Sequence, residues 1–505
     1  MDQERNETPA GSLPTSAGCT GNATLLVGLA LGYFTLNALL LGLVSSTAEW
    51  DNAEQLILTQ VWQLGYNSQP PLYTWLVKSL FLITGPSLPV LLGVKAALLT
   101  LMVASVVLAA RELELSPTQQ WIAALGLALI PQIVWEDQRN FTHTVLAVTV
   151  AGWTLLQLLR LRRRPTTANY LLLGLLLGLG TLSKYNYGLF AAGLAIAALS
   201  RPSFRMILWS WRMVAGLALA GALLLPHLLW VVSNPSTARD GFHKLEMTAG
   251  MTLSGLAELG SGLLASLGVL VLVSALVVRP RAMRAQATAS AQTATGCRLL
   301  LRGWLAMVLL AAALTLATGA RDFQEHWLQP LVFFVPLLLA CWADPFATRG
   351  FSVFRAIATL VLVAVSIALP GQALFANPDR PSRLNLPYAA LAAELRAQAG
   401  LPNVIVAPSD PLAGNLRLRF PQAMLMSERN LFSAPETARR WIAVSERPLR
   451  EGSVFVRWLE ANIGLPELDA EQVVRAPLRW LPGKEHSLFW TRVQPRRPSA
   501  ATPGS

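Results

Sequence analysis

The sequence predicts a polytopic α-helical membrane protein with about eleven membrane-spanning helices, followed by a small α/β domain. Hydrophobic residues make up 53% of the 505-residue chain and charged residues only 13%. That charged share is about half of what an ordinary globular domain carries. The apolar residues are gathered in blocks close to the ~20 residues that cross a bilayer core. Their length and lack of charge predict helices in contact with lipid.

The formal net charge of +12 is best explained by membrane orientation. Lys and Arg lie mainly in short loops between apolar blocks, without the interleaved aromatic residues of a nucleic-acid-binding surface. Short loops rich in Lys and Arg stay in the cytoplasm. We therefore expect a lipid bilayer, and no nucleic acid, as a partner.

Residues 1–22 are polar, and we expect them to form a cytoplasmic tail. The first apolar block follows without a clear small-residue cleavage site, so we interpret this block as an anchor rather than a removed signal. The chain has three cysteines, Cys19, Cys297 and Cys341. Their positions predict neither a disulfide nor a zinc site.

Three arginine clusters, at 160–164, 201–205 and 279–302, set the predicted topology because all three are expected inside. The chain then reaches the outer face at residue 370. We expect a membrane domain at 23–370 and an extracytoplasmic domain at 371–505. The predicted spans are the first apolar block and residues 88–110, 119–135, 141–159, 170–183, 186–200, 207–232, 255–278, 299–318, 327–342 and 353–370.

The apolar stretch at 71–84 is too short to be one of these spans. It begins after Pro70, and its roughly 14 residues cover about 21 Å as a helix, less than the ~30 Å of the hydrocarbon core. A crossing here would also invert the arginine clusters. We interpret it as an interfacial or re-entrant helix.

After Pro370 the composition becomes that of a globular domain. "YAALAAELRAQAG" has helical spacing and ends at Gly400, and "NVIVAP" is a β-branched run typical of a strand. No compact set of acid, base and nucleophile occurs in this segment. We expect a structural or acceptor-presenting α/β domain rather than an independent enzyme.

The first outer loop is strongly acidic. It contains Glu49, Asp51 and Glu54, and no Lys or Arg occurs from Thr47 to Val77. Asp51 and Glu54 are three residues apart, so on a helix they share one face. Two roles stay open for them, general base and divalent metal ligand. The alternative is a plain solvated loop.

A second acidic cluster, Glu136, Asp137 and Arg139, lies on the next outer loop. Two acidic loops on one membrane face predict a shared cleft. Lys184, in "LSKYNYG", falls at the outer end of two short spans, where a lone ammonium needs phosphate or a carboxylate as partner. The alternative is a lysine that extends to the interface.

The segment "RDFQEHWLQP" places Arg321 and His326 at the outer edge of a span. Both side chains are suited to binding phosphate oxygens.

Three segments together resemble glycosyltransferase family 39, the bacterial relatives of protein O-mannosyltransferases and of the lipid A aminoarabinose transferase. They are "EWDNAEQLILTQVWQLGYNSQPPLYTWL", "LGLGTLSKYNYGLF" and "EHWLQP". The resemblance covers roughly residues 24 to 345. It implies the GT-C membrane fold, a polyprenyl-phosphate sugar as donor, and catalysis at the extracytoplasmic face.

By this resemblance Asp51 matches the first-loop catalytic aspartate, and Asp137 is the nearest match to the second-loop acid. Relatives often carry a basic residue immediately before "PPL", where it meets the lipid phosphate, but this chain has Gln69. Either Lys184 or another cation supplies that charge, or the donor is held differently. The donor-phosphate candidates are Lys184, Arg139, His326, Arg321, Gln69 and Tyr73, and Glu54 is a further catalytic candidate.

The expected function is transfer of a sugar from a polyprenyl-phosphate donor to an envelope acceptor, which is a lipid, polysaccharide or protein. Such an enzyme works at the outer face of the bacterial inner membrane. The sequence identifies no cofactor with certainty, and a divalent metal ion is the one candidate. The alternative function is a transporter or flippase, which commonly has paired, Gly- or Pro-interrupted halves. This chain is asymmetric, with acidic loops near its start and a soluble domain at its end.

Overall fold

The structure is a computed structural model of the chain. It describes residues 16–235, 253–278, 290–319, 325–344, 348–377, 379–468, 471–481 and 483–495.

Helices dominate the first three quarters of the chain and recur among the strands of the last quarter. In chain order they are α1 (Ser16–Val44), α2 (Trp50–Leu58), α3 (Leu72–Thr84), α4 (Leu88–Glu112), α5 (Pro117–Leu125), α6 (Asp137–Arg139), α7 (Thr142–Leu161), α8 (Thr167–Ser183), α9 (Tyr187–Leu199), α10 (Pro202–Leu208), α11 (Trp211–Ser233), α12 (Leu253–Val277), α13 (Ala291–Thr318), α14 (Gln329–Val332), α15 (Val335–Trp342), α16 (Thr348–Leu374), α17 (Tyr388–Ala399), α18 (Asp410–Arg417) and α19 (Val454–Asn462).

Seven helices among the described residues are long and apolar enough to cross a membrane: α1, α4, α7, α11, α12, α13 and α16. Each corresponds to one predicted span. The other four predicted spans are shorter or interrupted. Two are the helices α8 and α9, one is α14 with α15, and one is α5 continued by a 3-10 turn (Gly126–Leu129) and a π turn (Gln132–Glu136). The membrane fold class is confirmed, and the number of crossings stays a prediction.

Helix α3 has 13 residues and ends at Gly85, whose φ of 71° is a left-handed conformation that glycine adopts freely. At ~1.5 Å per residue it is roughly 20 Å long. Its length therefore agrees with the expected short helix. Its non-crossing path stays a prediction.

Helix α7 is the central helix of the membrane domain. Of the 18 most apolar consecutive residues of α7, 89% are buried within the protein, against 22% of the corresponding residues of α1. Its Gly152 lies so close to α4 that an added Cβ would stand 1.9 Å from Ser105 Oγ. Because α7 is packed on all sides, the loop that immediately precedes it has a rigid support.

The prediction that the cysteines stay unpaired is wrong for two of them. Cys297 and Cys341 form a disulfide, with their Cα atoms 5.8 Å apart. The sequence pattern placed Cys297 in a basic loop, but α13 already begins at Ala291. The longer helix brings Cys297 against Cys341 on α15.

The C-terminal segment forms the expected α/β domain. Its strands are β1 (Val404–Ala407), β2 (Met424–Ser427), β3 (Trp441–Ser445), β4 (Gly464–Pro466), β5 (Gln472–Pro477) and β6 (Glu485–Pro495). They form one sheet in the order β2-β1-β3-β6-β4, and β5 pairs with β6. The strands β1, β2 and β3 are parallel, and β6 runs antiparallel to β3.

Both faces of β1 are covered, as in a three-layer domain. Ile405 and Ala407 pack with residues of α17 and α18, while Val404 and Val406 pack with residues of α19. The predicted helix ending at Gly400 and the predicted strand in "NVIVAP" are confirmed.

The α/β domain is docked directly on the first acidic loop, between α1 and α2. The Asn415 side chain accepts a hydrogen bond from Ala48 N at 2.8 Å and donates one to Ala48 O at 2.9 Å. Gly414 lies beside α2, where an added Cβ would meet Ala53 O at 2.1 Å. The C-terminal domain therefore holds the acidic helix α2 in place.

Candidate active site

The first acidic loop becomes the short helix α2. Asp51 is in its first turn, partly exposed, and one carboxylate oxygen accepts a hydrogen bond from Phe141 N at 2.8 Å. Phe141 has a φ of +60°, a left-handed conformation that is uncommon for an aromatic residue. A strained backbone that presents its N–H to a carboxylate is typical of a functional site.

A buried ion pair joins the second acidic loop to the first. Arg139 donates to both carboxylate oxygens of Glu49, at 2.9 Å and 2.5 Å. Asn52 donates to Arg139 O at 3.1 Å. Bidentate arginine–carboxylate pairs fix orientation as well as distance. The two loops therefore lie side by side, as the sequence predicted.

Asp137 is the most deeply buried acid of this region, with no solvent exposure. One oxygen, Oδ1, accepts a hydrogen bond from Gln329 at 2.7 Å, and the other, Oδ2, has no partner among the described residues. Burial raises the pKa of Asp137 to about 7. This carboxyl group therefore changes charge near neutral pH.

Lys184 lies in the turn between α8 and α9. It is 9% exposed, its ammonium donates to Thr144 Oγ1 at 2.5 Å, and its charge acts on Asp137. This lysine is thus within electrostatic range of the second-loop acid.

Lys95 is a candidate that the sequence analysis missed. It lies inside the apolar helix α4, is 1% exposed, and its ammonium has no hydrogen-bond partner among the described residues. The carboxylates that act on it electrostatically are Asp51, Glu49 and Asp137. The available signal was a single charge inside an apolar block, which by itself indicates a functional residue.

Several buried polar atoms around the two acids have no hydrogen-bond partner within the described part of the chain. Native proteins leave few such atoms, and a group of them is typical of a site that binds a polar ligand. The residues that carry them here are Asn52, Tyr73, Lys95, Asp137, Asn140, Thr142, His143 and Gln329.

The remaining predicted residues lie at different distances from this centre. His326 stacks on Phe141, with ring centroids 4.4 Å apart. Glu54 accepts from Asn67 at 3.4 Å, so it has a different partner from Asp51. Gln69 exchanges backbone hydrogen bonds with Tyr66, which closes a turn before α3.

The last two donor-phosphate candidates are Tyr73 and Arg321. Tyr73 is fully buried and its ring lies 5.5 Å from that of His143. Arg321 lies outside the described residues.

Few of the described side chains are placed to bind a metal ion. Within the described ranges, no group of three or more His, Cys, Asp or Glu side chains is arranged to hold a metal ion. Asp51 accepts a hydrogen bond from Phe141 N, and Glu54 accepts one from Asn67. We therefore derive no step through a metal.

An open cavity of about 380 Å³ adjoins the joined loops. It lies between the end of α16, the linker into the α/β domain, and the ion pair of Glu49 and Arg139. Its lining residues are Glu49, Trp50, Arg139, Gln372, Phe375, Ala376, Arg380, Ser382 and Arg383.

Comparisons with known proteins point to one enzyme class. The family model "Dolichyl-phosphate-mannose-protein mannosyltransferase" matches residues 68–230. The lipopolysaccharide core galacturonosyltransferase RgtA of Rhizobium johnstonii is 32% identical over 409 residues, 78% of this chain and 80% of that protein. The core galacturonosyltransferase RgtB of the same organism is 32% identical over 463 residues, 88% of this chain and 92% of that protein.

A solved structure covers nearly the whole chain. ArnT from Cupriavidus metallidurans bound to undecaprenyl phosphate matches with a TM-score of 0.59 and 14% identity, over 94% of this chain and 100% of that one. Its apo form matches with a TM-score of 0.56. At this identity the likeness shows the fold, and it confirms the GT-C architecture that the resemblance implied.

Proposed function

We propose that this chain, which belongs to the family-39-like membrane glycosyltransferases, transfers a hexuronic acid to a saccharide of the lipopolysaccharide core. The proposed donor is a polyprenyl-phosphate sugar. RgtA and RgtB represent the same family. The chain is a membrane glycosyltransferase. The relatives' names support the sugar and the acceptor. The ligand of the structural neighbour, undecaprenyl phosphate, supports the lipid donor. The transporter alternative is not favoured, because these relatives are glycosyltransferases.

The observation that carries the proposal is the junction of the two acidic loops. Phe141 N binds the Asp51 carboxylate, and Arg139 binds Glu49, so the two loops present their acids to one place. Lys184 and Lys95 are the buried cations beside them. A carboxylate for the acceptor proton and cations for the phosphate are the groups that this transfer requires.

Asp51 is the proposed base. It takes the proton of the acceptor hydroxyl, and the acceptor oxygen forms a bond to the anomeric carbon of the donor sugar. The bond between that carbon and the phosphate oxygen breaks, and polyprenyl phosphate leaves with the electron pair. Lys184 is the proposed partner of the phosphate, since Gln69 stands where relatives often have a cation.

Asp137 and Lys95 act through their charges in this proposal. An ionised Asp137 holds Lys184 in position for the phosphate. Lys95 stabilises the ionised form of Asp137, because a nearby positive charge favours a carboxylate over a carboxylic acid. Both are positioning residues rather than groups that react.

The proposed location is the bacterial inner membrane with the domain at 371–505 on the extracytoplasmic side. The three arginine clusters support this orientation. A reporter fused after Gly371 that is active only in the periplasm should be active, and a fusion that is active only in the cytoplasm would contradict the orientation.

The test of the function uses the purified full-length protein in lipid nanodiscs. Labelled polyprenyl-phosphate galacturonic acid and lipopolysaccharide core oligosaccharide are supplied together. We expect labelled oligosaccharide and polyprenyl phosphate to form in equal amounts. A protein that leaves the donor intact, or that moves it across sealed vesicles without cleaving it, would contradict the transferase assignment.

A further inference from the structure

The open cavity at the domain junction has an unbalanced positive charge. Its one carboxylate, Glu49, is paired with Arg139. Arg380 and Arg383 also line it, and neither forms an ion pair with a described residue. Glu446 of the α/β domain acts on Arg383 electrostatically but forms no ion pair with it. Two arginines without an ion-paired acid favour an anionic ligand, and their planar guanidinium groups are suited to carboxylate or phosphate.

The same cavity has aromatic surface. Trp50 is 52% exposed and Phe375 is 85% exposed. The Arg383 guanidinium carbon lies 3.6 Å from the centre of the Trp50 ring, so the guanidinium stacks on one face of the ring and its charge lies next to the exposed part of the aromatic surface. Aromatic faces beside fixed cations suit a saccharide that carries an acidic group, because the ring packs on its C–H face while the arginines bind its anion.

A buried polar group adjoins this surface. Gln372 lines the cavity, and its side-chain nitrogen Nε2 is buried without a hydrogen-bond partner among the described residues. Unpaired buried donors are rare in native proteins, and they are expected where a polar ligand completes the hydrogen bonding.

We propose that this cavity is the acceptor subsite and that it binds an anionic saccharide through Arg380 and Arg383, with the sugar ring against the exposed part of Trp50. Trp50 immediately precedes Asp51 in α2, so the cavity adjoins the helix that carries the proposed base. The assignment of this cavity to the acceptor rests on the proposed function. The binding of an acidic saccharide to this cavity does not depend on the proposed function.

The experiment measures binding without donor. The purified full-length protein is placed in phosphatidylcholine nanodiscs and titrated with delipidated lipopolysaccharide core oligosaccharide in three forms, which are intact, carboxyl-reduced and dephosphorylated. Arg380→Gln and Arg383→Gln should each weaken binding of the intact form about tenfold, the size of one lost charge-assisted hydrogen bond. Arg475→Gln is the matched control, because Arg475 is exposed on β5 outside the cavity lining.

The three forms identify the anion. Removing the recognised group, carboxylate or phosphate, should weaken binding to the unmodified protein and cause little further loss in the arginine variants. In transfer assays the variants should raise KM for the acceptor about tenfold and leave KM for the donor unchanged. A kcat close to that of the unmodified protein distinguishes this subsite from the acidic centre.

Three outcomes would overturn the inference. They are absence of oligosaccharide binding, equal binding by the variants and the unmodified protein, and an arginine effect confined to nanodiscs with anionic phosphatidylglycerol. The last outcome would assign the cavity to a phospholipid headgroup. Saccharide binding that depends on Arg380 and Arg383 in a protein that transfers no sugar would support the site and count against the proposed function alone.

Discussion

The two acidic loops carry similar residues but present them differently. Asp51 is partly exposed and accepts one backbone N–H, so an incoming hydroxyl can reach its carboxylate. Asp137 is fully buried, with a pKa raised to about 7 by burial. An exposed, anchored carboxylate is suited to take a proton from substrate, and a buried one is suited to set the charge of its neighbours. Similar sequence clusters therefore receive different roles from their packing.

Asp51→Asn should have the largest effect of any substitution. It keeps the shape of the side chain and removes the base, so kcat should fall by roughly 10² to 10⁴ while donor binding stays near normal. Glu54→Gln is the matched control from the same helix and should stay within a few-fold of the unmodified protein. Comparable activity of the two variants at saturating donor would mean that the loop is merely solvated.

Asp137→Asn should lower transfer less and change its pH dependence. Asp137 is protonated below its pKa of about 7 and ionised above it. If the ionised form holds the lysines, kcat/KM rises as pH increases through this region. The variant should lose that rise and be about tenfold slower on the alkaline side. The measurement is the pH profile of kcat/KM for the purified enzyme and the variant. An unchanged rise in the variant would mean that another group than Asp137 causes the rise.

Lys95→Met should move the same profile rather than abolish it. Without the buried ammonium the Asp137 carboxyl group ionises less readily, so the rise in kcat/KM should shift to higher pH. We expect about a tenfold loss at neutral pH, with Lys95→Arg restoring part of the activity. Lys184→Ala is the contrasting variant, since it should weaken donor binding instead. A uniform loss at all pH values for Lys95→Met would indicate a purely structural lysine.

Gly414→Ala should have the smallest effect and act on the first loop alone. The added methyl group meets Ala53 O at 2.1 Å and pushes α18 away from α2, which carries Asp51. Melting should occur a few degrees lower, and transfer should fall by less than ~10-fold. Gly93→Ala is the control, because nothing lies within 4 Å of its added Cβ. An unchanged melting temperature would show that the contact yields freely.

The sequence predicted the membrane fold and both acidic loops, because apolar block length and charge position are local properties. Asp51 was proposed as a site residue from the charge pattern of its loop and from a family motif, and its role stays a prediction. Lys95 was missed because one charge in an apolar block does not reveal which acids surround it. The ion pair between Glu49 and Arg139 was not predicted either, since it joins loops 90 residues apart.

The domain junction was beyond sequence reasoning for the same reason. The contact between Asn415 and Ala48 spans 367 residues and depends on how the α/β domain docks on the loop between α1 and α2. The disulfide was missed because α13 begins earlier than the apolar pattern indicated. Long-range contacts of this kind have no periodic signal in the chain.

The most direct test of the central claim measures transfer on a defined side of the membrane. Right-side-out and inverted sealed vesicles are loaded with labelled polyprenyl-phosphate galacturonic acid and given membrane-impermeant core oligosaccharide from outside. We expect labelled oligosaccharide only with right-side-out vesicles, and almost none when they contain Asp51→Asn. Transfer by inverted vesicles, or equal transfer by Asp51→Asn, would contradict an outward-facing site with Asp51 as its base.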